Sequence, residues 1–430
     1  MKYFVLLLLL LGASRVIATT TDSTEPPLSF NDALKVIIGR HPQKGIQTNN
    51  VELTRANNLS TQLGMLPEIT LQGIQNYTRS IGNTPDLYGT YQGTALLNLF
   101  HFGSDLAGMR AAGKEVEAQS ITLDDTILKI ENDGVQSLIS LIENQKTVEI
   151  LDDMMDLRLL SIKIAKERYN RGLLPTQEVD KISVDYDNSL ARLKDAESNF
   201  ARAKAELERL LGHSRVIAEW PWKNSFGELD SKSWETDKTP DLSHRPDWRA
   251  AKKTVEAASD RLTQSWGKMF PSLDFSFSYG FGEDEYSGQN GPEYSAMLTL
   301  TIPLFDRLAN YGQYRSQVYT QSNAELELEQ TKRQAKSEWE ASQRSFLISL
   351  DSAKARDKTV ETSKRLYETN LKRFRAGFVS ANDLAFDQDR LYNSQLFAIR
   401  GWASVHTYFT NRSHALGLRV SDEHLFQIKN

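Results

Sequence analysis

Cysteine is absent from all 430 residues, which excludes disulfides and leaves no thiol to carry a lipid or relay a soft metal. Long apolar runs are as scarce. After the first residues, no stretch approaches the ~18 consecutive apolar residues that a membrane helix requires. If such a chain enters a membrane, it does so as a closed β-barrel, where every backbone group is paired. Catalytic patterns are missing too. The seven histidines include no i,i+4 pair and no H-E-x-x-H, and there is no G-x-x-x-x-G-K-[ST]. Ser265 and Lys268 have S-x-x-K spacing but stand without companion motifs, just before a strand. No enzyme class, metal or cofactor is indicated.

What is present begins with a signal-like segment. Lys2 supplies a short positive region and Phe4 to Leu11 an apolar run too short to span a membrane. Val16 and Ala18 offer a cleavage site, with Ala13 an earlier alternative because Arg15 is unusual so near a cut. The expectation is export, with 1–18 removed. Losing Lys2 and Arg15 leaves 49 basic against 56 acidic residues, a net charge of −7. That mildly acidic balance argues against nucleic acid as a partner.

The chain repeats itself. His41-Pro42 and Arg245-Pro246 lie 204 apart, as do Met65-Leu66-Pro67 and Met269-Phe270-Pro271. Leu99-Phe100 and Leu304-Phe305 lie 205 apart, as do the segments 168–172 and 373–377 and the pairs Leu211-Gly212 and Leu416-Gly417. One offset with a single one-residue slip implies two copies of one unit. The sequence predicts a first repeat over 19–212, with a helix at 29–64, strands at 67–79 and 88–100, and long helices at 104–170 and 173–211. A connector follows at 213–243, in which Trp220, Trp222 and Trp234 are expected to anchor the segment against the helices. The second repeat covers 244–420, with a helix at 246–269, strands at 271–283 and 293–304, and helices at 309–375 and 379–416. Residues 421–430 form a tail.

The strands show period-two alternation. Leu273, Phe275, Phe277, Tyr279 and Phe281 alternate with small or polar residues, and Tyr294, Ala296, Leu298, Leu300 and Ile302 alternate with Ser295, Met297, Thr299 and Thr301. That pattern suits a strand with one face in lipid and the other on a lumen, or an ordinary two-faced sheet. The helices are unusually long. Gln313 to Ala376 holds 64 residues without Gly or Pro, and a helix from Ser104 to Tyr169 runs about 100 Å at ~1.5 Å per residue. Such a rod needs a neighbour along its length. Val179, Ile182, Tyr186, Leu193, Ala196, Phe200, Ala203, Leu207 and Leu210 fall on three- and four-residue steps, broken at Ser189. This is a coiled-coil seam. Its counterpart near 384–416 carries Asp387, Ser394 and Gly401 at seam positions, consistent with close or with wet packing.

Four strands cannot close a barrel, so an open sheet in lipid demands partner copies. The predicted class is an α+β membrane protein, a helical coiled-coil barrel continuous with a transmembrane β-barrel. The signal segment, the LSFNDAL…HP opening, the strand pair closed by Leu-Phe, the Arg-aromatic-x-x-Gly turns and the Leu-Gly ends together resemble the TolC-like outer membrane efflux protein family. The resemblance covers both repeats. It implies a homotrimer in the outer membrane of a Gram-negative bacterium, with twelve strands in the barrel and the tube crossing the periplasm. Function would be that of a passive exit duct for efflux or type I secretion. The implied partners are a periplasmic adaptor, an inner-membrane pump or ABC transporter, and outer-membrane lipid. A periplasmic coiled-coil adaptor and a sealed structural tube are the alternatives.

The resemblance also suggests site residues. Gly172 and Gly377 would turn the helix pairs at the periplasmic tips, flanked by Arg168, Arg171 and Arg373, with Leu173, Leu174, Phe378 and Val379 as apolar adaptor contacts. Glu178 and Asp383, each six residues past a glycine, and Asp387 would ring the periplasmic aperture. Two departures from the family pattern stand out: His101-Phe102-Gly103 follows the first Leu-Phe, which lacks a preceding proline, and Phe378-Val379 follows the second tip glycine.

Overall fold

The computed structural model describes residues 30–78, 86–212, 234, 240–283 and 290–420. The proposed signal segment, the tail, and Trp220 and Trp222 lie outside them. Two sets of elements follow one order: α1 (Phe30–Arg40), α2 (Pro42–Leu63), β1 (Glu68–Thr78), β2 (Asp86–Phe100), α3 (Ser104–Asn170) and α4 (Thr176–Leu211) come first. Then come α5 (Pro246–Gly267), β3 (Ser272–Glu283), β4 (Asn290–Thr301), α6 (Ala309–Ala376) and α7 (Ala381–Ala415). α3 has 67 residues and α6 has 68, so each runs about 100 Å.

Several predicted boundaries move, for local reasons. The helix expected over 29–64 is two helices, because Pro42 forces His41 out of the helical region, to φ −64° and ψ 125°. His41 Nδ1 then caps α2 by accepting from the Gln43 N–H at 3.2 Å. The helix expected from 173 starts at Thr176, after the extended Pro175. The strand expected over 293–304 lies at Asn290–Thr301 and stops short of Pro303, which has no N–H to donate. The helix expected over 246–269 ends at Gly267.

The strands form one antiparallel sheet in the order β1-β2-β3-β4, leaving β1 and β4 as edges. The register aligns the alternation across all four strands. Ile69, Ala95, Phe277 and Ala296 share one row, and Leu71, Gly93, Tyr279 and Tyr294 another. Leu97, Phe275 and Leu298 continue the same face. The opposite face carries Thr70, Thr94, Ser278 and Ser295, with the two serine hydroxyls 2.8 Å apart. The first half, whose strands alternate less clearly in sequence, is thus drawn into a sheet with one apolar and one polar face.

Both strand-to-helix joints use two successive left-handed residues, Phe102 and Gly103 in one and Arg307 and Leu308 in the other. Left-handed φ is unfavourable for a phenylalanine or a leucine. Phe102 is held there by stacking on Phe270 at 4.4 Å, with Phe100 and Trp266 edge-on.

The core is strung out along the rods in separate clusters. The largest packs α1 (Leu34, Ile37) against α3 (Val135, Leu138), α6 (Phe346, Leu350) and α7 (Val405, Phe409). Gly134 permits this approach, since a Cβ there would meet Leu34 Cδ2 at 3.2 Å. Trp234 of the connector packs edge-on to Phe346 and Phe409. The α4 seam residues are all buried or half-buried, Ser189 included. On α7 the counterpart seam is close rather than wet, because a Cβ on Gly401 would meet Ala353 Cα at 3.4 Å. No helix among the described residues is long and apolar enough to cross a membrane.

Candidate functional site: the helix tips

The two long hairpins turn at one end of the rods. Gly172 (φ +70°) and Gly377 (φ +89°) occupy the left-handed position that ends α3 and α6. At each, two backbone bonds close the helix: Leu173 N–H to Arg168 O and Gly172 N–H to Tyr169 O, then Phe378 N–H to Arg373 O and Gly377 N–H to Phe374 O. This double closure satisfies the last carbonyls and needs a residue without a Cβ penalty. The two tips are joined. Arg168 Nη1 donates to Phe374 O at 3.1 Å, and the guanidinium lies over the Phe374 ring at 5.2 Å.

The four apolar residues expected to contact an adaptor divide into two kinds. Leu173 and Phe378 are 64% and 83% exposed. Leu174 and Val379 instead pack on the cluster of Ile182, Phe374 and Leu384 that fills the tip. Each turn therefore offers one apolar side chain outward and keeps the next as filler. Arg171 and Arg373 are exposed, while Arg168 is half-buried by its role between the tips.

The three acids expected at the aperture also separate. Asp383 is exposed, and it forms a reciprocal cap with Ser380: its N–H donates to Ser380 Oγ at 3.1 Å, and its carboxylate accepts from that hydroxyl at 2.7 Å. Glu178 is half-buried and pairs with Lys181 at 2.9 Å. Asp387 is buried between α6 and α7, where Asn370 donates to one carboxylate oxygen and Arg390 approaches the other at 3.4 Å. Within the protomer both carboxylate oxygens of Asp387 are thus engaged, whereas Asp383 keeps an exposed carboxylate. The position of Asp387 at the coiled-coil seam is the reason.

The structure adds a residue that sequence reasoning missed. Arg158 of α3 is 2% exposed, yet its guanidinium donates to Gln388 Oε1 and to Asp389 Oδ1, each at 2.9 Å, with Asp185 of α4 at 3.7 Å. Gln388 in turn donates to Ser161 Oγ at 2.9 Å. One arginine thereby joins α3, α4 and α7 just above the tips. The available signal was a charged residue at the spacing of the buried Leu151, Met154 and Met155, since polar residues at seam positions set register.

Among the described residues no cluster of His, Cys, Asp and Glu could hold a metal ion. What the geometry defines is a rod-and-sheet protein, with an apolar sheet face at one end and paired helix turns at the other. This is the fold of outer membrane channels. A structure of CusC, concerned with folding and transmembrane channel formation, matches with a TM-score of 0.80 at 15% identity, covering 90% of this chain and 92% of that one. The Campylobacter jejuni CmeC outer membrane channel matches at 0.80 and 14% identity, over 90% and 85% of the two chains. The open state of the Neisseria gonorrhoeae MtrE outer membrane channel matches at 0.79 and 16%, over 91% and 89%. No curated protein sequence matches. Residues 241–407 match the outer membrane efflux protein family. Over those residues the chain is similar to the outer membrane efflux proteins, and over 90% of its length it shares the fold of the CusC and CmeC structures.

Proposed function

We propose that the protein is the passive outer-membrane duct of a tripartite export system, built as a homotrimer of two-repeat protomers. The observation that carries this is the four-stranded sheet with one continuous apolar face and two bare edges. Bare edges are intolerable in lipid, and partner copies pairing β4 with β1 remove them. Three copies give twelve strands.

The repeat supplies an argument for how copies meet. Within the protomer, Ser104, Ala107, Gly108 and Ala111 of α3 are buried at the face that packs on α5. Their counterparts 205 residues on, Ala309, Gly312, Gln313 and Ser316 of α6, are all exposed. On α5, Ala257 and Gly267 are buried, and their counterparts 204 residues earlier, Leu53 and Leu63 of α2, are exposed. The face that α3 offers to α5 is thus left open on α6, and the face that α5 offers to α3 is left open on α2. In the assembly, α6 of one copy would lie on α2 of the next, as α3 lies on α5 inside each copy. Leu304 and Phe305, 90% and 81% exposed beside the β4 edge, would be covered by the same step.

The tips would face the periplasm and receive an adaptor through Leu173 and Phe378, an inner-membrane pump or ABC transporter supplying the energy. Efflux of small molecules and type I secretion share this architecture. Single-channel recording of the purified protein in planar bilayers, with its mass measured in detergent, tests the proposal. A trimer-sized particle with steady current supports it. A monomer that never conducts overturns it in favour of a non-conducting adaptor, and a trimer without current favours a sealed tube.

A further inference from the structure

Where the family pattern breaks, at His101, the structure builds a three-residue bridge. His101 follows β2 and has its side chain only 25% exposed. Its Nδ1 lies 2.9 Å from Asp105 Oδ2 in the first turn of α3, and its Nε2 lies 3.1 Å from Asp274 Oδ1 on β3. Ionised carboxylates only accept, whereas a neutral imidazole carries one N–H. Both bonds therefore form together only when the ring carries two protons.

We propose that His101 is a proton-operated fastener between the sheet and the helical tube: doubly protonated, it ties the start of α3 to β3, and on losing a proton it releases one of the two ties. The inference stands on the geometry of the joint, whether or not the tube conducts. Asp105 from α3 and Asp274 from β3 are the charged groups that act on the ring. At the neighbouring end of α5, Lys268 is exposed and takes part in neither bond. Burial disfavours the imidazolium, but the hydrogen bonds and charges of Asp105 and Asp274 outweigh it, so its pKa lies above the ordinary 6.5. A raised value places the stabilisation below the ordinary pKa and removes it as pH rises through the raised one.

The second joint lacks the device. The positions equivalent to His101, Asp105 and Asp274 are Asp306, Asn310 and Thr70, and Asp306 there simply caps α6 by accepting from the Asn310 N–H at 2.8 Å. Each protomer thus has one joint with the histidine bridge and one without it. Phe102, the next residue, is left-handed and wedged on Phe270, so a loosened His101 acts on a backbone already strained.

Two mass-spectrometric readouts test this on the full chain in detergent micelles, from about pH 5 to about pH 9, which brackets histidine titration. Exchange of the imidazole C2 hydrogen gives the His101 midpoint, expected above 6.5 and lower in Asp274→Asn. Amide exchange over residues 101–107 is expected to accelerate across that midpoint more steeply in the parent than in His101→Gln. Should Asp274→Asn fail to fold, Asp105→Asn gives the same comparison from the other carboxylate. A midpoint at or below 6.5, or equal amide profiles in parent and His101→Gln, overturns the proposal.

Discussion

Two acids four positions apart on one helix have different freedom, and that difference can be read in current. Asp383 keeps an exposed carboxylate at a helix N-terminus, while Asp387 spends its oxygens on Asn370 and Arg390. If Asp383 rings the aperture, Asp383→Asn retains the cap and removes only the charge. Block of single-channel current by divalent cations is then expected to weaken in Asp383→Asn and to stay unchanged in Asp387→Asn, since rings of carboxylates bind cations. Equal block in the parent and Asp383→Asn would remove Asp383 from the aperture. Gly377 offers a second test. At φ +89° an alanine costs about 1–2 kcal/mol, so Gly377→Ala is expected to speed amide exchange around 374–380 without changing the rest of α6. The tip glycines, and Asp383 with Glu178, could be located in the sequence through one shared offset of 205. What was hidden is which way each side chain turns, because Leu174 and Val379 differ from Leu173 and Phe378 only by one step around a turn.

At the scale of elements, buried arginines tie helices that apolar seams alone leave free to slide. Arg158→Ala is expected to lower unfolding stability by about 2 kcal/mol, the modest end of the range for lost charge-assisted bonds, because Asp389 stays partly in water. Arg158→Met should be near neutral, as apolar replacements of buried pairs often are. Denaturant unfolding of both variants separates the lost contact from the lost volume. Arg245 makes a second tie, donating to Asp247 at 2.7 Å, Glu338 at 2.8 Å and Ala415 O at 3.0 Å, which fastens α5 to the middle of α6 and the end of α7. Burial pushes the Asp247 carboxyl up, but the bonds and charge of Arg245 hold its pKa below the ordinary 3.8. A depressed carboxylate stabilises above its ordinary pKa and loses that contribution as pH falls through the lowered one. Stability of the parent is therefore expected to fall more steeply in acid than that of Asp247→Asn, as thermal unfolding would register. The long helices and the α4 seam were readable because periodicity and the lack of Gly and Pro leave few alternatives. The break at His41 was missed although Pro42 announced it, since the apolar spacing runs on across the junction.

At the scale of the molecule, the repeat that organises the protomer also predicts its neighbours. Gly108 approaches Gln264 closely within the protomer, and the equivalent pair across copies is Gln313 with Ser60. A chain without cysteine makes the test clean: Ser60→Cys with Gln313→Cys is expected to give oxidised dimers and trimers on gels, and neither single variant should. Monomer only from the double variant would reject the arrangement. The inner joint is ionic, with Lys114–Asp260 at 2.8 Å, Arg261–Glu115 at 2.8 Å and Lys253–Glu117 at 2.9 Å. Its counterparts across copies are Tyr319 with Ala56, Asn57 with Thr320, and Asn49 with Ser322. The assembled mass in detergent is accordingly expected to persist at high salt, which screens exposed ion pairs but not uncharged contacts. Two copies of a unit could be read directly from offsets. The register that unites their strands could not, because pairing between halves depends on contacts the sequence does not bring near.

That register has a consequence for the order in which the molecule comes into being. Asn98 pairs with Asp274 and Thr90 with Gly282, so the central ladder of the sheet joins segments separated by all of α3, α4 and α5. A chain emerging from its N-terminus can wind α3 and α4 early, since helices need only local bonds. β2 then stands with a naked edge until β3 has been delivered. Contacts so distant along the chain form slowly, so the sheet closes after α3 and α4 have wound. The apolar face of the sheet is thereby left incomplete until the first of the two long helical hairpins has already been made.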